Sequence, residues 1–234
     1  NWPCWRGPTR QGISHETGLP LEWSPENNIA WKVEIPGDGW SSPIVWEDRV
    51  FVTTATDGGR SYRLLSLDRR TGRTVWDKEI VRQKADHKQP NNSFATSTPV
   101  TDGGFVYCVA ADGTVAAVDF DGNIAWTHKE FEFYSEHGLG ASPVLVDGLV
   151  IVALDWSSPG PDRKVGWQIP WDKSLVLAVD AATGEVRWRG DRGLSRIAHV
   201  TPQVVEVDGK RQLVSGAGDV IQGFDIQTGD RLWT

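Results

Sequence analysis

The chain has 234 residues, a formal net charge of −7 and 39% hydrophobic residues. That length suits one large soluble domain, and mild acidity argues against nucleic acid as the main partner, because phosphate binding needs a basic face. Apolar runs such as Leu149 to Leu154 have the length of strands and fall far short of a membrane span.

The first 40 residues form an N-terminal segment in which Asn27 to Ile35 reads as a lone outer strand, with no earlier strands to pair with. From Pro43 the pattern becomes regular. Pro43 to Trp46 is a short apolar strand, Glu47-Asp48 a turn, and Arg49 to Thr54 a β-branched strand. Asp57-Gly58-Gly59 turns again, Tyr62 to Leu67 is a third strand, and Asp68 to Gly72 leads into a fourth that carries Trp76. The unit is an antiparallel meander.

The meander recurs. Asp180 to Gly184 leads to Trp188, Asp225 to Gly229 leads to Trp233, and a version one residue shorter, Asp119 to Gly122, leads to Trp126. Each unit opens on a hydroxyl residue and proline: Ser42-Pro43, Thr98-Pro99, Ser142-Pro143 and Thr201-Pro202. Such self-similarity marks stacked copies of one supersecondary unit. No window has a helical period. A four-stranded sheet cannot bury both faces alone, whereas radially arranged copies can. The expected fold is therefore all-β: a β-propeller of four-stranded antiparallel blades, about four of them complete, near 41–80, 94–130, 140–190 and 199–234. Ser66, Ala117, Ala178 and Gly223, two residues before the turn, are read as small positions that let the next blade approach, with the tryptophans covering the gap.

The opening Trp2-Pro3-Cys4-Trp5-Arg6-Gly7-Pro8, the stretch Gly18 to Ser24 and the stretch Glu136 to Pro143 resemble a large bacterial group of exported repeat proteins, and the repeat itself resembles that of the pyrroloquinoline-quinone-like (PQQ-like) β-propeller family. That family includes quinoprotein dehydrogenases and the β-propeller lipoprotein of outer-membrane assembly. The resemblance implies a seven- or eight-bladed ring, of which this single domain, 1–234, is a part. Two segments, Asn27 to Ile35 and the strand at Trp233, compete for the place of the closing strand. The protein is thus expected to continue past Thr234, or two chains to complete a ring. It also implies a periplasmic or secreted protein; no signal peptide is visible, and a leader removed before Asn1 fits this start. Alcohol-oxidising members hold the quinone between a tryptophan and a disulfide of adjacent cysteines, beside Ca²⁺. Here Cys4 and Cys108 are the two cysteines, far apart in sequence. No cofactor is therefore predicted, and PQQ with Ca²⁺ belongs to the alternative of an alcohol or sugar dehydrogenase.

In a meander the second-to-third loop and the blade-to-blade connection lie at one end. The long segments 81–94, 128–140, 156–174 and 190–200 are all of these two kinds, so one face carries every long loop, and function on a rigid scaffold sits on such loops. They hold His87, His128, His137 and His199, four of the five histidines, together with Asn91, Asn92, Glu136, Arg192 and Arg196. His87, His137 and His199 enter from three successive connections and are weak candidates for a metal; solvated loop histidines are the plainer reading. Trp156, Trp167 and Trp171 lie within sixteen residues, suited to stacking on a sugar or a partner, or to packing the loop down. The function read from the sequence is a non-catalytic extracytoplasmic scaffold or ligand-binding module. Its partner is an unidentified protein or carbohydrate, and a homodimer through open blade edges is a further expectation.

Overall fold

The computed structural model describes residues 1–234. Blade one consists of β1 (Ile44–Trp46), β2 (Arg49–Thr56), β3 (Ser61–Asp68) and β4 (Thr74–Arg82). Blade two consists of β5 (Val100–Thr101), β6 (Phe105–Val109), β7 (Val115–Asp119) and β8 (Ile124–His128). Blade three has β9 (Val144–Val146), β10 (Leu149–Leu154), β11 (Leu175–Asp180) and β12 (Val186–Asp191). Blade four has β13 (Gln203–Val207), β14 (Lys210–Gly216), β15 (Ile221–Asp225) and β16 (Arg231–Trp233). Each blade is its own four-stranded sheet in sequential order, with every pairing antiparallel. The β-propeller expectation holds.

The period-two alternation of a strand explains the core. Along β6, Val106 and Cys108 point to blade one and pack with Phe51, Tyr62 and Leu64. Tyr107 and Val109 point the other way and pack with Val150, Val152 and Leu177 of blade three. A third layer joins Ile151, Val176 and Ala178 to Leu213 and Phe224 of blade four. The chain therefore has one apolar layer per blade boundary. Burial pushes the Cys108 thiol up to about 12, and Cys4 is also raised by burial, so neither thiol is a reactive thiolate.

Two kinds of hydrogen bond fasten each boundary. On the outside, Trp76 Nε1 donates to the Phe120 carbonyl at 2.8 Å, Trp126 Nε1 to the Ala181 carbonyl at 3.0 Å, and Trp188 Nε1 to the Ile226 carbonyl at 2.8 Å. On the inside, the amide of Ser42 donates to Thr98 Oγ1 at 2.9 Å, that of Thr98 to Ser142 Oγ at 3.0 Å, and that of Ser142 to Thr201 Oγ1 at 3.0 Å. The hydroxyl-proline pairs are thus the inner fasteners, and β1, β5, β9 and β13 are the innermost strands.

The small residues have a different job from the one expected. Ser66, Ala117, Ala178 and Gly223 lie opposite Trp76, Trp126, Trp188 and Trp233 of their own blades. They make room for the indole to lie across its own sheet. The residue that meets the indole from the next blade is the turn glycine. Burial of the tryptophans is graded: Trp188 is buried, Trp76 and Trp126 are half-buried, and Trp233 is exposed, its Nε1 donating to Gln212 Oε1 of its own blade at 2.7 Å.

The N-terminal segment differs from expectation. Residues 27–35 form no strand, because no neighbouring sheet edge pairs with them. Trp31 nevertheless occupies the outer fastener of blade one: its Nε1 donates to the Arg69 carbonyl at 2.9 Å, and its ring covers Gly72. Residues 1–10 cross the axial strands near their turn ends. Trp2 bridges Val45 of β1, the Pro3 carbonyl accepts from the Thr101 amide of β5, and Arg10 donates to the Leu145 carbonyl of β9. The arm covers the inner edges of three blades on the face away from the long loops.

Candidate functional site

The long loops meet and are stitched together. The connection after blade one (83–99) brings His87 against the connection after blade two (129–143): His87 Nε2 lies 3.1 Å from Glu136 Oε1, and the Tyr134 hydroxyl donates to Glu136 Oε2 at 2.7 Å. The imidazole stacks on the Tyr134 ring at 6.2 Å and 22°. Burial and then Glu136 push the Tyr134 phenol up to about 12, so it stays a donor. Glu136 is buried and its own amide donates to Ser157 Oγ in the loop of blade three at 2.7 Å. Asn92 Nδ2 donates to the His137 carbonyl at 2.6 Å, so two side chains tie these connections.

Blade three's loop, 155–174, then fastens to the connection after blade three. Trp171 and Ser195 form an antiparallel bridge, and the Ile197 amide donates to the Gly166 carbonyl at 2.7 Å. Beneath them lies a buried ion pair, Arg192 Nε to Asp155 Oδ1 at 2.7 Å. Asp155 Oδ2 also accepts from the Ala198 amide, and Arg192 donates to Ser215 Oγ of blade four at 2.7 Å. Burial raises the Asp155 carboxyl to about 6, with Arg192 and the Ala198 amide opposing the rise. A lone charge at either position would be costly. Arg196 closes the series by binding Asp219, with its Nε 3.3 Å from Oδ2.

The three candidate metal histidines do not converge. His87 is committed to Glu136 and Tyr134, whereas His137 and His199 form a separate pair with ring centroids 5.8 Å apart, and Trp167 meets His137 edge-on at 5.2 Å. His199 packs over Gly140, and desolvation followed by the neighbouring His137 lowers its pKa. No group of three His, Cys, Asp or Glu side chains is disposed to hold a metal ion. Cys4 and Cys108 are both free and buried, in separate core layers.

The loop tryptophans pack the loop down. Trp156 stacks on Phe131 at 4.4 Å and 13°, with Trp171 5.7 Å away, and Trp167 rests on His137. Asn91 is exposed, and His128 is engaged with Glu130. Asp155, Tyr134 and Ser157 escaped the sequence reading. Only Asp155 had a signal, an acid directly after the apolar run Leu149 to Leu154.

Stacked blades fastened by tryptophan, with loops locked on one face, define a PQQ-like β-propeller. The family model described as "Outer membrane protein assembly factor BamB" matches residues 21–96, 87–165 and 169–234, and the chain belongs to this family. BamB from Moraxella catarrhalis superposes with a TM-score of 0.60 at 18% identity, over 87% of this chain and 54% of that one. The quinohemoprotein alcohol dehydrogenase of Comamonas testosteroni superposes with a TM-score of 0.53 at 16% identity, over 84% of this chain and 34% of that one. These two likenesses concern the fold. In sequence, that dehydrogenase is 28% identical over 156 residues, 48% of this chain. Serine/threonine-protein kinase AfsK of Streptomyces coelicolor is 27% identical over 187 residues, 72% of this chain. The chain spans 21% of the length of each of these two relatives. No helix is long and apolar enough to cross a membrane.

Proposed function

We propose that this chain is a non-catalytic, extracytoplasmic β-propeller scaffold that binds its partner through the long-loop face. The carrying observation is the stitching of four loop segments by Glu136, Asn92, Asp155 and Arg196, which gives a preorganised surface, whereas the opposite face has only tight turns and the N-terminal arm. Rigid presentation lowers the ordering cost of binding. The family description, an outer-membrane assembly factor, supports a periplasmic setting and a protein partner.

Site-specific photo-crosslinkers test this reading. Gln168 and Leu194 are exposed on the loop face, Glu47 and Asp121 on the turn face. Capture from the first pair and not the second is expected; capture from the turn face alone overturns the proposal. The dehydrogenase reading draws on the 28% identical relative. Dye reduction after reconstitution with PQQ and Ca²⁺ would replace the scaffold by that enzyme.

A further inference from the structure

Between the loops of blades one, two and three lies a cavity of about 400 Å³, within the range of about 300–1,000 Å³ usual for small-molecule pockets. The tryptophan loop contributes Pro159 and Arg163 to the cavity wall, while none of Trp156, Trp167 and Trp171 lines it. Phe94, Phe133, Tyr134 and Pro159 supply apolar wall, and Lys84, Asp86, Asp112, Glu132 and Arg163 supply polar groups. We propose that this cavity is a binding site for a neutral saccharide, a reading that rests on the loop face being the working face.

The charge pattern selects the ligand class. Lys84 Nζ is 3.5 Å from Glu132, and Lys129 Nζ reaches Asp112 at 3.0 Å and Glu132 at 3.1 Å. Counting Lys129, three cations (Lys84, Lys129, Arg163) face three carboxylates (Asp86, Asp112, Glu132), so the formal charges of the site balance and favour neither sign of ion overall. A phosphate or carboxylate would be brought against carboxylates already paired to lysine. An amine would be brought against the lysines and Arg163. A polyol needs neither sign. Its hydroxyls donate to carboxylate oxygens and accept from ammonium and guanidinium N–H groups, and Asp86 and Arg163, which form no ion pair, keep both capacities available. The ring C–H face of a pyranose is apolar and fits aromatic wall.

The wall is also held in place. Tyr134 is fixed by its hydroxyl bond to Glu136 and by His87 stacked on it, and Glu136 is anchored to Ser157. The Tyr134 ring therefore has little freedom to lose on binding, whereas Asp86 and Arg163 are exposed and become ordered with the ligand.

The test is isothermal titration and saturation-transfer NMR on the chain with cellobiose and maltotriose, against trigalacturonate, a chitosan trimer and inorganic phosphate. The neutral sugars should bind and the charged probes should bind at least about tenfold more weakly. Asp86→Asn and Arg163→Gln should each weaken sugar binding about tenfold, the loss of one charge-assisted hydrogen bond, with circular-dichroism melts unchanged. No neutral-sugar binding, or preference for a charged probe, overturns the site. Loop-face cross-links without sugar binding would remove this site and leave the scaffold reading standing. Sugar binding with cross-links only on the turn face would leave this site standing and remove the scaffold reading.

Discussion

Trp126 and Gly184 meet across the boundary between blades two and three: a Cβ on Gly184 would lie 2.6 Å from the indole Cδ2. The glycine also has φ +75°, a left-handed backbone that other residues resist. Two independent constraints therefore select glycine at this turn. Gly148 has a similar φ of +74° with nothing within 4 Å of its would-be Cβ. Gly148→Ala should cost about 1–2 kcal/mol from the backbone alone, and Gly184→Ala should cost more because the indole must move. Urea unfolding of the two variants checks the order; equal midpoints would mean that the indole yields freely.

Graded tryptophan burial predicts graded losses. Trp188 is 6% exposed and fastened to Ile226, so Trp188→Ala should destabilise by about 3–5 kcal/mol. Trp126, half-buried, should fall at the low end of that range. Trp233 is 41% exposed and covers no turn, so Trp233→Ala should lie within about 0.5 kcal/mol of the parent. Chemical denaturation of the three proteins measures the series.

Asp155 gives a pH signature. Its carboxyl, about 4 in an unfolded chain, rises to about 6 when buried. Between those values the folded state holds the proton more tightly than the unfolded one, so this group's contribution to stability declines as pH rises through that window and is flat above it. Asp155→Asn should remove that slope. Midpoints measured from pH 4 to 7 for parent and variant give the comparison, and a parent whose relative stability rises with pH would show that attraction to Arg192 outweighs burial.

His199 titrates in the opposite sense. Its pKa is depressed in the folded state, so the unfolded chain protonates first, and the stability it contributes is present above about pH 6.5 and lost on acidification below it. The His199 ring signal in NMR should titrate below the ordinary histidine value. His137→Gln should move it upward by removing the neighbouring charge. An unmoved midpoint would assign the whole depression to burial.

Association should occur through blade four. Val207, Ile221, Leu232 and Trp233 are exposed there, and surfaces of this kind associate. A second chain's Trp233 cannot seat on the 68–72 turn, because Trp31 already covers Gly72. The expected contact therefore pairs two fourth blades around a two-fold axis rather than running head to tail. Light scattering should detect a dimer that Leu232→Lys abolishes; a monomer at all concentrations contradicts it.

The blades were legible because turns and fasteners repeat in fixed order: Asp, Gly and Trp recur with strand-length spacing, and period-two alternation sets the core. What a small residue faces was not legible, since Ser66 or Ala117 could serve either side of the sheet and only the strand register decides. The loop face was predicted from connectivity alone. Its internal partners were not, because His87 and Glu136 are 49 residues apart and nothing local in either stretch encodes their meeting. For the same reason three histidines of similar topological position separate into one lone imidazole and one pair.

The outer fasteners have one more consequence. The groups that accept the indole protons belong to Arg69, Phe120, Ala181 and Ile226, four dissimilar residues, and in every case the acceptor is the main-chain carbonyl. The inner fasteners invert the roles, with a main-chain amide giving and a side-chain hydroxyl receiving. The hydrogen bond of each joint thus asks for a particular side chain on one side only; at the outer joints the other side needs its turn glycine under the indole, and the accepting residue itself is free to vary. Such joints are generic. A copied unit can dock beside its parent from the moment of duplication, and the sequences can then diverge widely while the assembly stays intact.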